Sequence, residues 1–142
     1  MSQTGKELEI IAYIDGACRG NPGPASCGVV LTVDGEVVAE EGKYLGKSTN
    51  NRAEYNGLLL ALDKAAELNA AKLIVRTDSQ IVARQIKGVY KIKDAELQKL
   101  NALAQEKIRC FVSFKIQEIP REQNNIADGL ANRALDDAAA NR

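Results

Sequence analysis

The 142-residue chain contains no histidine. That absence removes every Ser-His and Cys-His nucleophilic scheme and leaves a zinc site without its usual nitrogen ligand. The three cysteines, Cys18, Cys27 and Cys110, have no C-x-x-C spacing. An odd cysteine count in a chain with no export signal predicts free thiols in a reducing compartment. No apolar run approaches the ~20 residues that cross a bilayer, and Met1–Glu9 is too polar for a signal peptide. The expected address is the cytoplasm, with no membrane contact. Any hydrolytic chemistry in such a chain has to run on carboxylates, together with a metal ion.

Net charge is also missing, since 19 basic side chains balance 19 acidic ones. Their distribution is uneven. Residues 1–71 carry six basic and ten acidic groups, residues 72–121 carry eleven and five, and residues 122–142 carry two and four. Solvated helix faces are the simplest reading of that segregation, and a strip facing a polyanion is the other. Length and a 45% hydrophobic content suit one globular domain with one core.

Hydrophobic periodicity gives the element order. Glu9–Asp15 alternates with apolar residues on both faces, which predicts a central strand ending at Asp15. Gly20–Pro24 reads as a rigid loop. Cys27–Val33 and Glu36–Tyr44 flank Asp34-Gly35, a strong hairpin signal. From Arg52 to Leu68 the period becomes helical, with Leu58, Leu59, Leu62, Ala65 and Ala66 in one stripe. Lys72–Thr77 is a short strand. Ser79–Lys87 is a helix closed by Gly88, and about Asp94–Lys107 another. Phe111–Ile119 alternates through Val112, Phe114 and Ile116, and a last helix runs from about Asn125 to Ala138. The order is βββαβααβα. It predicts an α/β fold with a five-stranded mixed sheet and helices on both faces.

Four acids break these patterns. Asp15 and Asp78 end apolar strands, where ligands bind in open α/β sheets. Glu54 lies on the buried stripe of its helix, and Asp128 precedes Ala131, Ala134 and Leu135 by helical spacings. Each has a local alternative: Glu54 and Asp128 as partners of Asn51 and Asn125 in capping boxes, Asp78 as a cap, Asp15-Gly16 as a turn. If the four converge, their mutual repulsion calls for a hard cation with oxygen ligands, Mg²⁺ or Mn²⁺. Two such ions ~3.5–4 Å apart would suit in-line phosphoryl displacement without a covalent intermediate.

Three blocks, Asp15-Gly16-Ala17-Cys18-Arg19-Gly20-Asn21-Pro22-Gly23-Pro24, Thr49-Asn50-Asn51-Arg52-Ala53-Glu54 and Thr77-Asp78-Ser79-Gln80, resemble type 1 ribonuclease H. They occur in the family's order and spacing, from about residue 9 to residue 136. The resemblance implies a single ribonuclease H domain over 1–142, core about 8–138. It implies hydrolysis of the RNA strand of RNA/DNA hybrids by two metal ions, leaving 5′-phosphate and 3′-hydroxyl ends. Asp15, Glu54, Asp78 and Asp128 are then the metal ligands. Gly16, Cys18, Asn21, Asn50, Asn51 and Gln80 match hybrid-contacting positions, and Thr49 and Arg52 fall in the matching block as phosphate contacts.

Two departures from the family stand out. The basic insertion of well-studied bacterial members is absent or vestigial at Gly88–Lys93, which leaves Arg84, Lys87, Tyr90, Lys91 and Lys93 for a reduced DNA-strand contact. Tyr90 is either a stacking surface or a packing residue. The loop histidine of many members is replaced by Pro120-Arg121-Glu122-Gln123-Asn124-Asn125, and the expectation is that Arg121 takes over part of that role by engaging the scissile phosphate, with Glu122 the weaker candidate. Competing readings are a silent hybrid-binding module, an integrase-like nuclease and an interaction domain with a structural cation. A monomer is expected, and double-stranded RNA remains open as a second substrate.

Overall fold

The structure is a computed structural model, and it describes residues 8–141. The first strand, β1 (Glu9–Cys18), is followed by β2 (Gly23–Val33), β3 (Glu36–Ser48) and then helix α1 (Asn50–Glu67). The chain continues through β4 (Lys72–Thr77), α2 (Gln80–Ile86), α3 (Ala95–Ile108) and β5 (Ser113–Glu118). A 3₁₀ turn (Arg121–Gln123) then leads into α4 (Asn125–Ala140). The sheet order is β3-β2-β1-β4-β5, so β1 is central as its two apolar faces require. The hairpin pairs are antiparallel, and β1–β4 and β4–β5 are parallel. Asp34 and Gly35 both take positive φ, as a tight two-residue hairpin turn demands.

Helices cover both faces. On one, α1 lies over β1 and β2, close enough that Gly57 sits against Ile14 and Cys27. Burial pushes the Cys27 thiol up to about 12, and Cys18 and Cys110 are also free. Tyr55 is fully buried there; its hydroxyl donates to Gln85 of α2 and accepts from Asn101 of α3, which ties three helices together. On the other face α4 packs against β1, β2 and β3. Gly28 and Gly42 allow this by letting the α4 backbone lie directly on the strands.

Several boundaries differ from the sequence expectation. Strand β1 does not end at Asp15, because antiparallel pairing with β2 carries it on to Cys18. Its parallel pairing with β4 does stop at Ile14–Thr77. Asp15 therefore stands where β4 peels away from β1. Strand β2 begins at Gly23, inside the expected loop, and β3 extends to Ser48. Val112 precedes β5 and is 81% exposed, and Ala66 is exposed rather than part of the α1 stripe.

Candidate active site

The divergence of β4 from β1 leaves a notch beyond the end of β4 and beside the Asp15–Cys18 part of β1, and α1 begins beside it. The Thr49 hydroxyl caps α1 by accepting from the Arg52 N–H, so Asn51 does not form the expected capping box with Glu54. The Glu54 carboxylate is used otherwise. One oxygen accepts the Gly16 N–H at 2.8 Å and the other the Thr77 hydroxyl at 3.2 Å. Thr77 is fully buried and its oxygen also accepts the Ser79 N–H, which fixes the turn that carries Asp78. The cap of α2 is Ser79, not Asp78. Asp15 and Gly16 lie within a strand rather than in a turn.

Carboxylate oxygens of Asp15, Glu54 and Asp78 lie within 4.8 Å of one another. Asp15 and Glu54 are only 6% exposed. Asp128, on the first turn of α4, stands just outside this group of three but close enough to Asp15 to raise its carboxyl further. Asn132 donates to the Asp128 carboxylate at 3.2 Å. Among the described residues none of the four acids has an ion-pair partner. Burial, then the neighbouring Glu54 charge, holds Asp15 far above the usual carboxylate range. Burial also raises Glu54, against its bonds to Asp15, Gly16 and Thr77. An all-oxygen donor set with excess negative charge and no nitrogen or sulfur fits a hard divalent cation.

Acids with raised folded-state values retain protons that the unfolded chain has released, so their contribution is full below the ordinary 3.8 and 4.5. It is lost as pH rises through the raised values. Protein in EDTA is thus expected to melt progressively lower from about pH 4 into the alkaline range. Excess Mg²⁺ should restore about 2.7 kcal/mol at a hundredfold excess over Kd, roughly 5–10 °C, most visibly at alkaline pH. Thermal melts with and without Mg²⁺ across that range check this; a metal-independent, pH-flat melting temperature would contradict it.

An open cavity of about 550 Å³ extends from the acids. Gly16, Asn50, Asn51 and Arg121 line it with Asp15, Glu54 and Asp78; Ser79, Ile119 and Pro120 complete it. Asn21 lies in the loop beside it, where its side-chain oxygen accepts the Asn50 N–H. The Cys18 thiol faces the carbonyls of Gly20, Gly23 and Ser48. Arg52 reaches Asp94 at 3.9 Å. Gln80, Tyr90 and Lys91 are exposed and do not line the cavity. Arg84 lies over the Tyr90 ring at 5.4 Å, donates to its hydroxyl and pairs with Glu118. Tyr90 is therefore an exposed platform under a neutralised arginine, not a core residue. Glu122 lines a different cavity, against Tyr13, Thr32 and Val37.

Sequence reading missed Thr77, Asn124 and Asn132, whose side chains hold the acids rather than join them. For Asn132 a signal was present, since it stands four residues after Asp128, one helical turn on; for Asn124, whose side chain reaches Ile14 and Asp78, none was.

This arrangement defines a carboxylate-clustered α/β fold of a recognisable kind. The family model described as "Reverse transcriptase-like" matches residues 13–134. The chain is 45% identical over 128 residues to ribonuclease HI of Halobacterium salinarum, covering 89% of this chain. The crystal structure of RNase H1 from that archaeon superposes with a TM-score of 0.89 over 91% of this chain and 98% of that one. LC11-RNase H1, solved in complex with an RNA/DNA hybrid, is 40% identical, with a TM-score of 0.88 over 92% and 99% of the two chains. The chain belongs to the ribonuclease H family. It spans 64% of the length of the Halobacterium protein and 37% of similar mycobacterial proteins.

Proposed function

We propose that this chain hydrolyses the RNA strand of RNA/DNA hybrids and leaves 5′-phosphate and 3′-hydroxyl ends. The observation that carries this is the largely buried carboxylate cluster, which among the described residues has no ion-pair partner, opening onto a cavity lined by glycine and asparagine. Asp15, Glu54, Asp78 and Asp128 would hold Mg²⁺, with Mn²⁺ as a substitute, two ions per site when substrate is bound. Such ions supply Lewis-acid stabilisation of charge on the attacking and leaving oxygens.

The protein's own residues do the rest. Gly16 has no side chain because α1 packs on that side, where a Cβ would fall on the Glu54 nitrogen, and its backbone forms part of the cavity wall that a sugar would meet. Asn50 and Asn51 offer donors and acceptors that distinguish a 2′-hydroxyl in the wide minor groove from its absence. Asn21, bonded to the Asn50 N–H, positions that helix start, and Cys18 fixes the same loop from below. Thr49 and Arg52 are assigned to backbone phosphate. The exposed 3.9 Å pairing of Arg52 with Asp94 is too weak to hold the guanidinium back. Gln80, Tyr90 and Lys91 form an outlying contact to the DNA strand. The whole of 1–142 acts as one ribonuclease H domain with its core at about 8–138, as a cytoplasmic monomer.

Arg121 is exposed at the cavity rim and, among the described residues, has no acidic partner. A guanidinium cannot accept a proton at neutral pH, so its role is to engage the scissile phosphate electrostatically. Arg121→Ala is expected to lower kcat by about 10- to 100-fold, the size of effect of losing about 1.4–2.7 kcal/mol of charge stabilisation. Unchanged turnover would remove Arg121 from the reaction.

The test of the function is cleavage of an end-labelled hybrid in Mg²⁺ and in Mn²⁺, beside single-stranded and double-stranded RNA. Metal-dependent cutting confined to the hybrid RNA supports the proposal, and cutting of double-stranded RNA as well would widen its substrate range. Binding without cutting in either metal would overturn it in favour of a silent hybrid-binding module.

A further inference from the structure

Asn124 occupies the N-cap position of α4, where an asparagine ordinarily accepts a hydrogen bond from the helix it precedes. Here it makes no such bond. Its side chain is turned to the sheet and is 1% exposed. The amide nitrogen donates to the Ile14 carbonyl at 2.7 Å and to the Asp78 carboxylate at 3.3 Å. The amide oxygen is buried and, among the described residues, has no hydrogen-bond partner. The opposite amide orientation would set an oxygen against two acceptors, so the donor face toward Asp78 is fixed by chemistry.

Both features are poor choices for stability. A cap bond is forgone, and a buried acceptor is left unpaired. The same residue nevertheless touches three of the four arms of the acidic cluster, those of Asp15, Asp78 and Asp128. Its nitrogen holds the carbonyl just before Asp15 and the carboxylate of Asp78, and its backbone carbonyl accepts the Asp128 N–H at 3.1 Å. Its own N–H donates to the Arg121 carbonyl.

We propose that Asn124 is a positioning residue that clamps the Asp78 carboxylate to β1 and so sets the spacing on which divalent-cation affinity depends. This rests on the reading of the four carboxylates as metal ligands. Groups that orient metal ligands typically change affinity or activity by about 10- to 100-fold when removed.

The experiment measures Mn²⁺ binding to substrate-free protein by calorimetry, together with kcat and KM for the hybrid across Mn²⁺ concentrations. Asn124→Ala is expected to weaken Mn²⁺ binding about 10- to 100-fold, to lower kcat at limiting metal with recovery toward saturation, and to leave KM for the hybrid unchanged. Gln105→Ala is the comparison. It removes a side-chain amide bond to the Ile86 carbonyl far from the acids and should lower the melting temperature without moving Mn²⁺ affinity. Should Asn124→Ala fail to fold, Asn124→Ser, which keeps a small polar group, takes its place in the same titration. A folded variant that binds Mn²⁺ within twofold of wild type overturns the proposal. If wild-type protein binds Mn²⁺ but cuts no hybrid, the functional reading falls, while the clamp is still judged by the change in Mn²⁺ affinity.

Discussion

Asp78→Asn is expected to lose about a thousandfold or more in hybrid cleavage while the metal-free protein becomes more heat-stable above neutral pH. The two effects have one cause. The asparagine keeps the size of Asp78 and an oxygen for the Asn124 amide, so the local hydrogen bond survives and only the charge goes. Loss of a ligand that helps supply several kcal/mol of charge stabilisation, at about 1.4 kcal/mol per factor of ten, gives the kinetic figure. The gain in stability comes from the same deletion, because the Asp78 charge repels both Asp15 and Glu54 in the folded state. Single-turnover cleavage in Mg²⁺ and thermal melts in EDTA at alkaline pH measure both. Near-wild-type cleavage would take Asp78 out of the reaction. A lower melting temperature would mean that the cluster is not held together against repulsion.

Gly28→Ala is expected to be among the most damaging small substitutions outside the carboxylates themselves. A Cβ at Gly28 would fall on the Ala127 carbonyl and within 2.9 Å of the Ala131 nitrogen, both backbone atoms of α4. A flexible side chain can step aside, whereas a helix has to move as a body. Overpacking of this kind costs about 3 kcal/mol, or roughly 10 °C in a domain of this size. The displacement also reaches the chemistry, since Gly28 pairs with Asp15 across β1–β2 and Ala127 precedes Asp128. Activity should therefore fall at temperatures where the variant is still fully folded. Circular dichroism melts and cleavage assays well below the melting temperature separate the two losses. A variant with wild-type stability would mean that α4 does not lie on Gly28 as described.

Gly28 also illustrates what the sequence conceals. Between Cys27 and Val29 it reads as an ordinary gap in a strand, and nothing local says that a helix a hundred residues later needs the space. The features legible in advance were those with a local cause: the alternation of β1, the Asp34-Gly35 turn, the helical stripe of α1 and the Gly88 stop. Glu54 and Asp78 were legible because an acid on an apolar stripe, or at the end of an apolar strand, contradicts its surroundings. The extension of β1 past Asp15 depends on pairing with β2, and the inward turn of Asn124 depends on Ile14 and Asp78. Both are tertiary decisions. The capping explanations for Glu54 and Asp78 failed for the same reason: Thr49 and Ser79 took those duties and freed the acids.

The four acids are contributed by β1, α1, the turn after β4 and α4, so no contiguous stretch of chain contains the cluster. During refolding or synthesis, a chain that has formed the hairpin and α1 but has not yet docked α4 holds Asp15 and Glu54 without Asp128 or the Asn124 clamp. Such contacts, remote in sequence, close slowly compared with local ones. Recovery of cleavage after dilution from denaturant therefore serves as a clock for the arrival of the last helix, and should lag behind the recovery of helical signal in the far ultraviolet.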